Sequence, residues 1–443
     1  MTLPSRQLRT VLATAALLAA AGCSNGGSPG LSSTSAATTV AGEQAASSSE
    51  AATTSGPSPV ASGLPYVVVD TGQASCYGSA GTETACPASG QALFGQDAQY
   101  TTAAPAYQDN GDGTVSDLNS GLMWQQDPGE KMTYAEALAA VDDFDLAGYQ
   151  DWRLPSIKEL YSLIEFTGTD PSACQTLAGC DAVPFIDTGY FTFSYGDTSA
   201  GERVIDSQYL SSTVYVSTTM GGNPTVFGVN FADGRIKGYP ISDPQGGEKT
   251  YFVLHVRGNP EYGLNDFVDN GDGTVSDRAT GLMWQQGDDG AGADWADSLA
   301  YCEALTLAGY DDWRLPDVKQ LQTIVDYTRS PATTDSPAID PVFSTSAIVD
   351  EGGGLDWPYF WSSTTHASVM QPPGTNAAYV AFGRALGWMQ DSQGQYVLMD
   401  VHGAGAQRSD PKAGDASAFP HGHGPQGDVI RIDNYARCVR VEG

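Results

Sequence analysis

Two stretches of this chain place apolar side chains every three or four residues, the spacing of one face of an α-helix. In the first, Tyr134, Leu138, Val141 and Phe144 fall on one stripe, and in the second Trp295, Leu299, Cys302 and Leu305 repeat it. Thr133 with Glu136 makes a capping box before the first stretch, and Asp294 holds the same capping position before the second. A further helix is predicted after each Leu-Pro step. Ser156 and Glu159 cap a face of Ile157, Leu160, Leu163 and Ile164, and Asp317 precedes the matching Val318, Leu321, Ile324 and Val325. Short strand-like runs follow at 210–216, 226–231 and 252–257, and again at 361–364, 378–382 and 436–441, separated by long loops rich in Gly, Pro and Asp. Few helices, several separated antiparallel strands and long loops define an α+β chain.

These elements come in pairs because the chain is a tandem duplication. DNGDGTVSD, three variable residues and GLMWQQ occur at Asp109 to Gln126 and again at Asp269 to Gln286; LAGY and DWRLP follow at Leu146 to Pro155 and at Leu307 to Pro316. A period this long is a whole domain, far beyond solenoid repeats. Each copy is therefore expected to bury its own core, with two helices and a small antiparallel sheet. The organisation read from the chain is a signal peptide over 1–22, a tether over 23–63, a lead-in over 64–104, and copies over 105–258 and 259–443.

DNGDGTVSD, GLMW, LAGY, DWRLP, the SST strand and the terminal RCVR resemble the Lcl C-terminal domain family, as does the lead-in from Thr71 to Gly90. The resemblance covers roughly residues 70–443. It implies two tandem C-type-lectin-like domains, and a role in adhesion or glycan binding.

The ends of the chain add an address. Arg6 and Arg9, the apolar run from Val11 to Ala21, and LLAAAGC ending at Cys23 read as an export signal with a lipobox. Lipid on Cys23 would anchor the chain to a membrane of the cell envelope, at the outer membrane or cell surface. Ser24 to Gly63 has no aromatic residue and only two charges, Glu43 and Glu50. As a coil of about 40 residues it would hold the rest roughly 30 to 40 Å from the anchor. Lys and Arg number 20 against 52 Asp and Glu, a net charge of −32. That field excludes nucleic acid and leaves neutral glycans, envelope or host surface proteins, and cations as partners.

With Cys23 assigned to lipid, six cysteines are left, an even number that favours disulfides in an exported chain. Alignment of the copies puts Val141 opposite Cys302 and His255 opposite Cys438. Joint presence in one copy and joint absence in the other pairs Cys302 with Cys438. The other four pair most simply as neighbours, Cys76 with Cys86 and Cys174 with Cys180, leaving no thiol for catalysis.

Candidate chemistry is sparse. Asp109, Asp112 and Asp117, repeated as Asp269, Asp272 and Asp277, are carboxylates in a Gly-rich turn and suit Ca²⁺. The same residues encode a hairpin through Asn110-Gly111 and Asp112-Gly113, which is the expected role, with no cofactor required. His402, His421 and His423 could ligate a transition metal. Trp357, Tyr359 and Trp388, in loops of the second copy, are the aromatics expected to stack on a ligand. Trp152 and Trp313 are expected in the core. No HExxH and no GxxxxGK[ST] phosphate loop occurs. The reading is a surface recognition or adhesion module. A structural envelope protein is the alternative, and an enzyme on a formylglycine-generating-enzyme-like fold ranks below both. Cys23→Ser is expected to abolish labelling by a metabolic fatty acid and to leave the protein unprocessed or soluble after export; label kept by the variant would exclude Cys23 as the anchor.

Overall fold

The computed structural model describes residues 63–242 and 247–442. The expected signal peptide, Cys23 and nearly all of the tether lie outside the described residues.

In the first copy, β1 (Tyr107–Asp109), β2 (Thr114–Asp117) and β3 (Leu122–Gln125) are antiparallel neighbours. Gly111 and Gly113 close the β1–β2 turn at φ of 73° and 88°, which side chains with a Cβ rarely adopt. Helices α1 (Tyr134–Ala140) and α2 (Ile157–Tyr161) both open with the capping boxes predicted above. Then come β4 (Gln208–Thr219), β5 (Asn223–Asn230), β6 (Arg235–Pro240) and β7 (Val256–Gly258). The last returns to β3 and completes a four-stranded sheet in the order β7-β3-β2-β1.

The second copy repeats this plan. Its small sheet is β8 (Phe267–Asp269), β9 (Thr274–Asp277), β10 (Leu282–Gln285) and a later strand. Helices α3 (Trp295–Ala304) and α4 (Val318–Thr323) follow, then β11 (Tyr359–His366) and β12 (Asn376–Ala381). An added hairpin, β13 (Leu386–Gln390) with β14 (Tyr396–Asp400), precedes β15 (Gln407–Pro411). The closing strand is β16 (Val439–Val441), paired with β10.

The expectation that each copy buries its own core is corrected by the central sheet. Its six strands run β11-β12-β15-β6-β5-β4, three from each copy, and the halves meet where Ile236 faces Gln407. Separated, β6 and β15 would each present an unpaired edge. One apolar cluster crosses the junction, uniting Leu160, Phe227, Val229 and Ile236 with Leu321, Val325, Phe360 and Val380. The contacts across it are reciprocal. Lys158 Nζ donates to the Thr323 carbonyl at 2.6 Å, and its counterpart Lys319 donates to the carbonyl of Ser162, the counterpart of Thr323, at 2.9 Å. Such exchange is what a two-fold relation between like units produces.

The copies differ around α1 and α3. Trp295, Leu299 and Cys302 are buried as the stripe predicts. In the first copy Tyr134 and Val141 pack, half-buried, against the core, whereas Leu138 is 48% exposed and Ala137 makes the fully buried contact. Cys302 is bonded to Cys438 inside the second copy's cluster; at the matching place Phe144 stacks on His255 at 4.0 Å. The bridge closes 136 residues and contributes about 4 to 5 kcal/mol in the chain-entropy model. Cys76 is bonded to Cys86 and Cys174 to Cys180.

The lead-in ties the copies together. Tyr66 is buried against Tyr262, and Lys319 Nζ reaches the Asp70 carbonyl at 3.0 Å. Asp97, buried, accepts the hydroxyls of Thr71 and Thr364. Burial, then the nearby Asp317 carboxylate, pushes its pKa up to about 8. An unfolded aspartate titrates near about 4. Between those values the folded chain keeps a proton that the unfolded chain releases, so stability contributed by neutral Asp97 is present below about pH 4 and is lost as pH rises toward 8. Asp97→Asn is expected to flatten this slope and to compare better with the parent at pH 8 than at pH 4, read from denaturant midpoints. An unchanged slope would remove Asp97 as its source.

Candidate functional site

The frame is common to both copies, and what the second copy adds builds a cleft. Residues 231–234 join β5 to β6, whereas 382–406 join β12 to β15 and carry the β13–β14 hairpin. A second excursion, 412–435, lies against that hairpin. Between them and the loop around Ile348 and Val349 opens a cleft of about 440 Å³.

Two carboxylates shape it, Asp410 buried and Asp400 half-buried. Asp410 Oδ2 accepts the backbone N–H of Arg431 at 3.1 Å and of Ile432 at 3.3 Å, and the Asn434 amide at 3.2 Å, which fixes the returning loop. Asp400 accepts the Tyr215 hydroxyl at 2.8 Å and the Gly403 N–H at 2.8 Å, anchoring the base of β14. Burial raises Asp410 to about 6 and Asp400 to about 7. The hairpin meets the loop where Trp388 N–H donates to Gly427 O at 2.8 Å. Gly427 is required there, since a Cβ would stand 2.2 Å from the Trp388 carbonyl oxygen and φ is 60°.

The floor is Arg431. Its Nε pairs with Glu351 at 2.9 Å and its guanidinium lies 3.8 Å from the Tyr359 ring centroid. Its Nη1 is buried with no hydrogen-bond partner among the described residues. Half-buried Trp388, Phe419 and Tyr435 form apolar walls, and Asp433 and Asn434 add polar groups. Aromatic walls beside polar groups suit a ligand that offers both a C–H face and hydroxyls.

A family model described as the Lcl C-terminal domain matches residues 113–257 and 273–400. No curated protein and no solved structure matches the chain. The second matched span ends at Asp400, so the cleft residues from Ala416 to Tyr435 lie beyond it.

Of the three aromatics expected to meet ligand, only Trp388 lines the cleft. Tyr359 is corrected to a core residue: it is fully buried, stacked on Tyr379 at 4.5 Å and covered by Arg431. Trp357 is also buried, at 9% exposure. Arg431, Phe419 and Tyr435 were not legible as site residues, because their loop has no periodicity to orient them. Trp152 and Trp313 are in the core as expected. The histidines are not gathered: His402 is buried against Asp428 at 3.0 Å, and His421 stacks on Tyr396 at 3.7 Å. Burial holds His402 down to about 4.

The acidic turns do not assemble either. Asp109 accepts the Gly111 N–H at 2.8 Å and Asp112 the Thr114 hydroxyl at 2.6 Å, and Asp269 and Asp272 repeat both bonds at 2.8 Å and 2.7 Å. Asp117 and Asp277 are buried at the far ends of β2 and β9. There Asp117 caps the Asn119 N–H at 3.0 Å, and Asp277 accepts the Asp266 N–H at 2.9 Å. Among the described residues no group of three or more His, Cys, Asp or Glu is placed to hold a metal ion. Calcium at 100 times a dissociation constant would stabilise a real site by about 2.7 kcal/mol. Millimolar Ca²⁺ added after EDTA is instead expected to move the melting temperature no more than Mg²⁺ does. A calcium-specific rise abolished by Asp109→Ala with Asp269→Ala would restore the carboxylates as ligands.

Proposed function

Because the chain belongs to the Lcl C-terminal domain family, with two tandem copies, we propose that it is an envelope recognition module whose second copy binds a neutral glycan in the Trp388 cleft. The observation that carries this reading is the asymmetry of the duplication: both copies keep the frame, and only one adds the segments that build a cleft. A pyranose ring would stack on Trp388, with its hydroxyls meeting the polar lining at Arg431 and Asp433. A strongly acidic chain favours a neutral ligand over a sulfated or phosphorylated one.

In this proposal each copy is a lectin-like domain, and lipid on Cys23 with the tether holds the pair at the envelope or cell surface. The chain acts by binding. The six cysteines among the described residues are all in disulfides, and His255, His366 and His402 are engaged in stacking or hydrogen bonds, which supports that reading over catalysis.

A glycan array probed with the purified chain is expected to give discrete neutral hits. Trp388→Ala should weaken them at least about tenfold, a loss in the range of an aromatic anchor in a binding site, with the melting temperature preserved. An array without hits, beside a protein captured from envelope extract through the same cleft, would transfer the assignment to a structural envelope protein.

A further inference from the structure

The two outer edges of the central sheet are covered differently. In β11, Ser363, Thr364 and Thr365 are buried; of their counterparts in β4, Ser212 and Val214 are exposed and Thr213 is half-buried. The lead-in makes the difference. Phe166 N–H donates to the Thr71 carbonyl at 2.7 Å, and the Gln73 carboxamide both donates to Thr365 O at 2.7 Å and accepts the Thr365 N–H at 2.9 Å. A side chain thus pairs with the edge as a neighbouring strand would. Asp97 takes the Thr364 hydroxyl, and the Tyr100 ring lies 5.1 Å from the Arg314 guanidinium.

Every receptor group of that contact has a counterpart by duplication: Tyr327 for Phe166, Val214 for Thr365, Thr213 for Thr364 and Arg153 for Arg314. Arg153, Thr213 and Tyr327 line an open groove of about 580 Å³, with Val214 next along the strand. Among the described residues it is filled only in part, by Pro260 to Asn265, with Asn265 on Lys158 where Asp70 meets Lys319, because only residues 259–266 separate β7 from β8. Thr213 Oγ1 accepts from Ile157 N–H at 2.9 Å, as Thr364 accepts from Val318 at 3.0 Å, yet among the described residues the Thr213 hydroxyl has no acceptor. Arg153 Nη2 pairs with Glu159 at 2.6 Å, and its Nη1 is buried with no hydrogen-bond partner among the described residues.

We propose that this groove docks an extended peptide segment of a partner protein, carrying a carboxamide side chain that clasps the Val214 backbone and a second side chain that accepts the Thr213 hydroxyl. The chain itself displays the chemistry of the occupant on the equivalent groove, by the edge-addition mode of peptide recognition. A second copy's lead-in is the weaker occupant, since moving it here would vacate its equivalent contact at home. The assignment is independent of the Trp388 cleft.

The test uses a fluorescent peptide of residues 70–75, Asp-Thr-Gly-Gln-Ala-Ser, titrated against the full chain. Saturable binding is expected, weakened at least about tenfold by Gln73→Ala in the peptide and by Thr328→Trp in the chain. Thr328 is exposed at the groove, so the larger ring blocks the space without entering the core. Hydrogen exchange should slow across Thr213 and Val214 in the bound state. No saturable binding would overturn the proposal. So would binding that survives Thr328→Trp, which would mean displacement of the lead-in from its own groove. Self-association of the chain lost in Thr328→Trp would give the groove to a second copy and overturn the partner assignment.

Discussion

The junction of β6 with β15 is the contact on which the rest of this structure depends. A three-stranded half-sheet presents an unpaired edge and one apolar face, and joining two halves satisfies both at once. The junction is also polar, which gives it specificity. Arg235 from β6 pairs with Asp170 at 2.8 Å and donates to Ser409 of β15 at 3.1 Å, while buried Gln407 accepts the Tyr161 hydroxyl at 3.2 Å. Buried charges of this kind are costly when one partner is lost. They fix the register in which the halves meet.

Duplication supplies an internal control that one copy could not give. Where the copies agree, the residues serve the frame: the turn glycines, the side-chain N-caps, and the buried Trp152 and Trp313. Where they diverge, the reason is local. Phe144 on His255 and the Cys302–Cys438 bridge fill the same space by different chemistry. Residues 382–406 lengthen a connection that residues 231–234 make in the first copy, and under the proposed reading they serve recognition.

The acidic composition has a structural component beside its long-range field. Asp109, Asp112, Asp269, Asp272, Asp350 and Asp391 each accept a backbone N–H two residues on, closing a turn. Many short strands need many turns, and aspartate with glycine makes them. Part of the −32 charge is therefore a by-product of loop-rich architecture, and the exposed remainder sets which ligands can approach.

The sequence by itself determined the local structure. Helix caps, helix faces in the second copy, the hairpin turns and the Cys302–Cys438 pairing were legible because each depends on neighbours at fixed spacing or on comparison of aligned copies. The exposure of Leu138 was not, since burial depends on what packs opposite. Only the tertiary structure decided that two repeats share one sheet, because the pairing of Ile236 with Gln407 joins residues far apart in the chain and carries no periodic signature. The site divides in the same way. Trp388 could be named from its residue type, whereas Tyr359 was misread because an aromatic in a loop region looks alike whether it faces solvent or lies beneath an arginine. Arg431 became part of a site only when Asp410 folded its loop back over the sheet, a long-range constraint that no local pattern encodes.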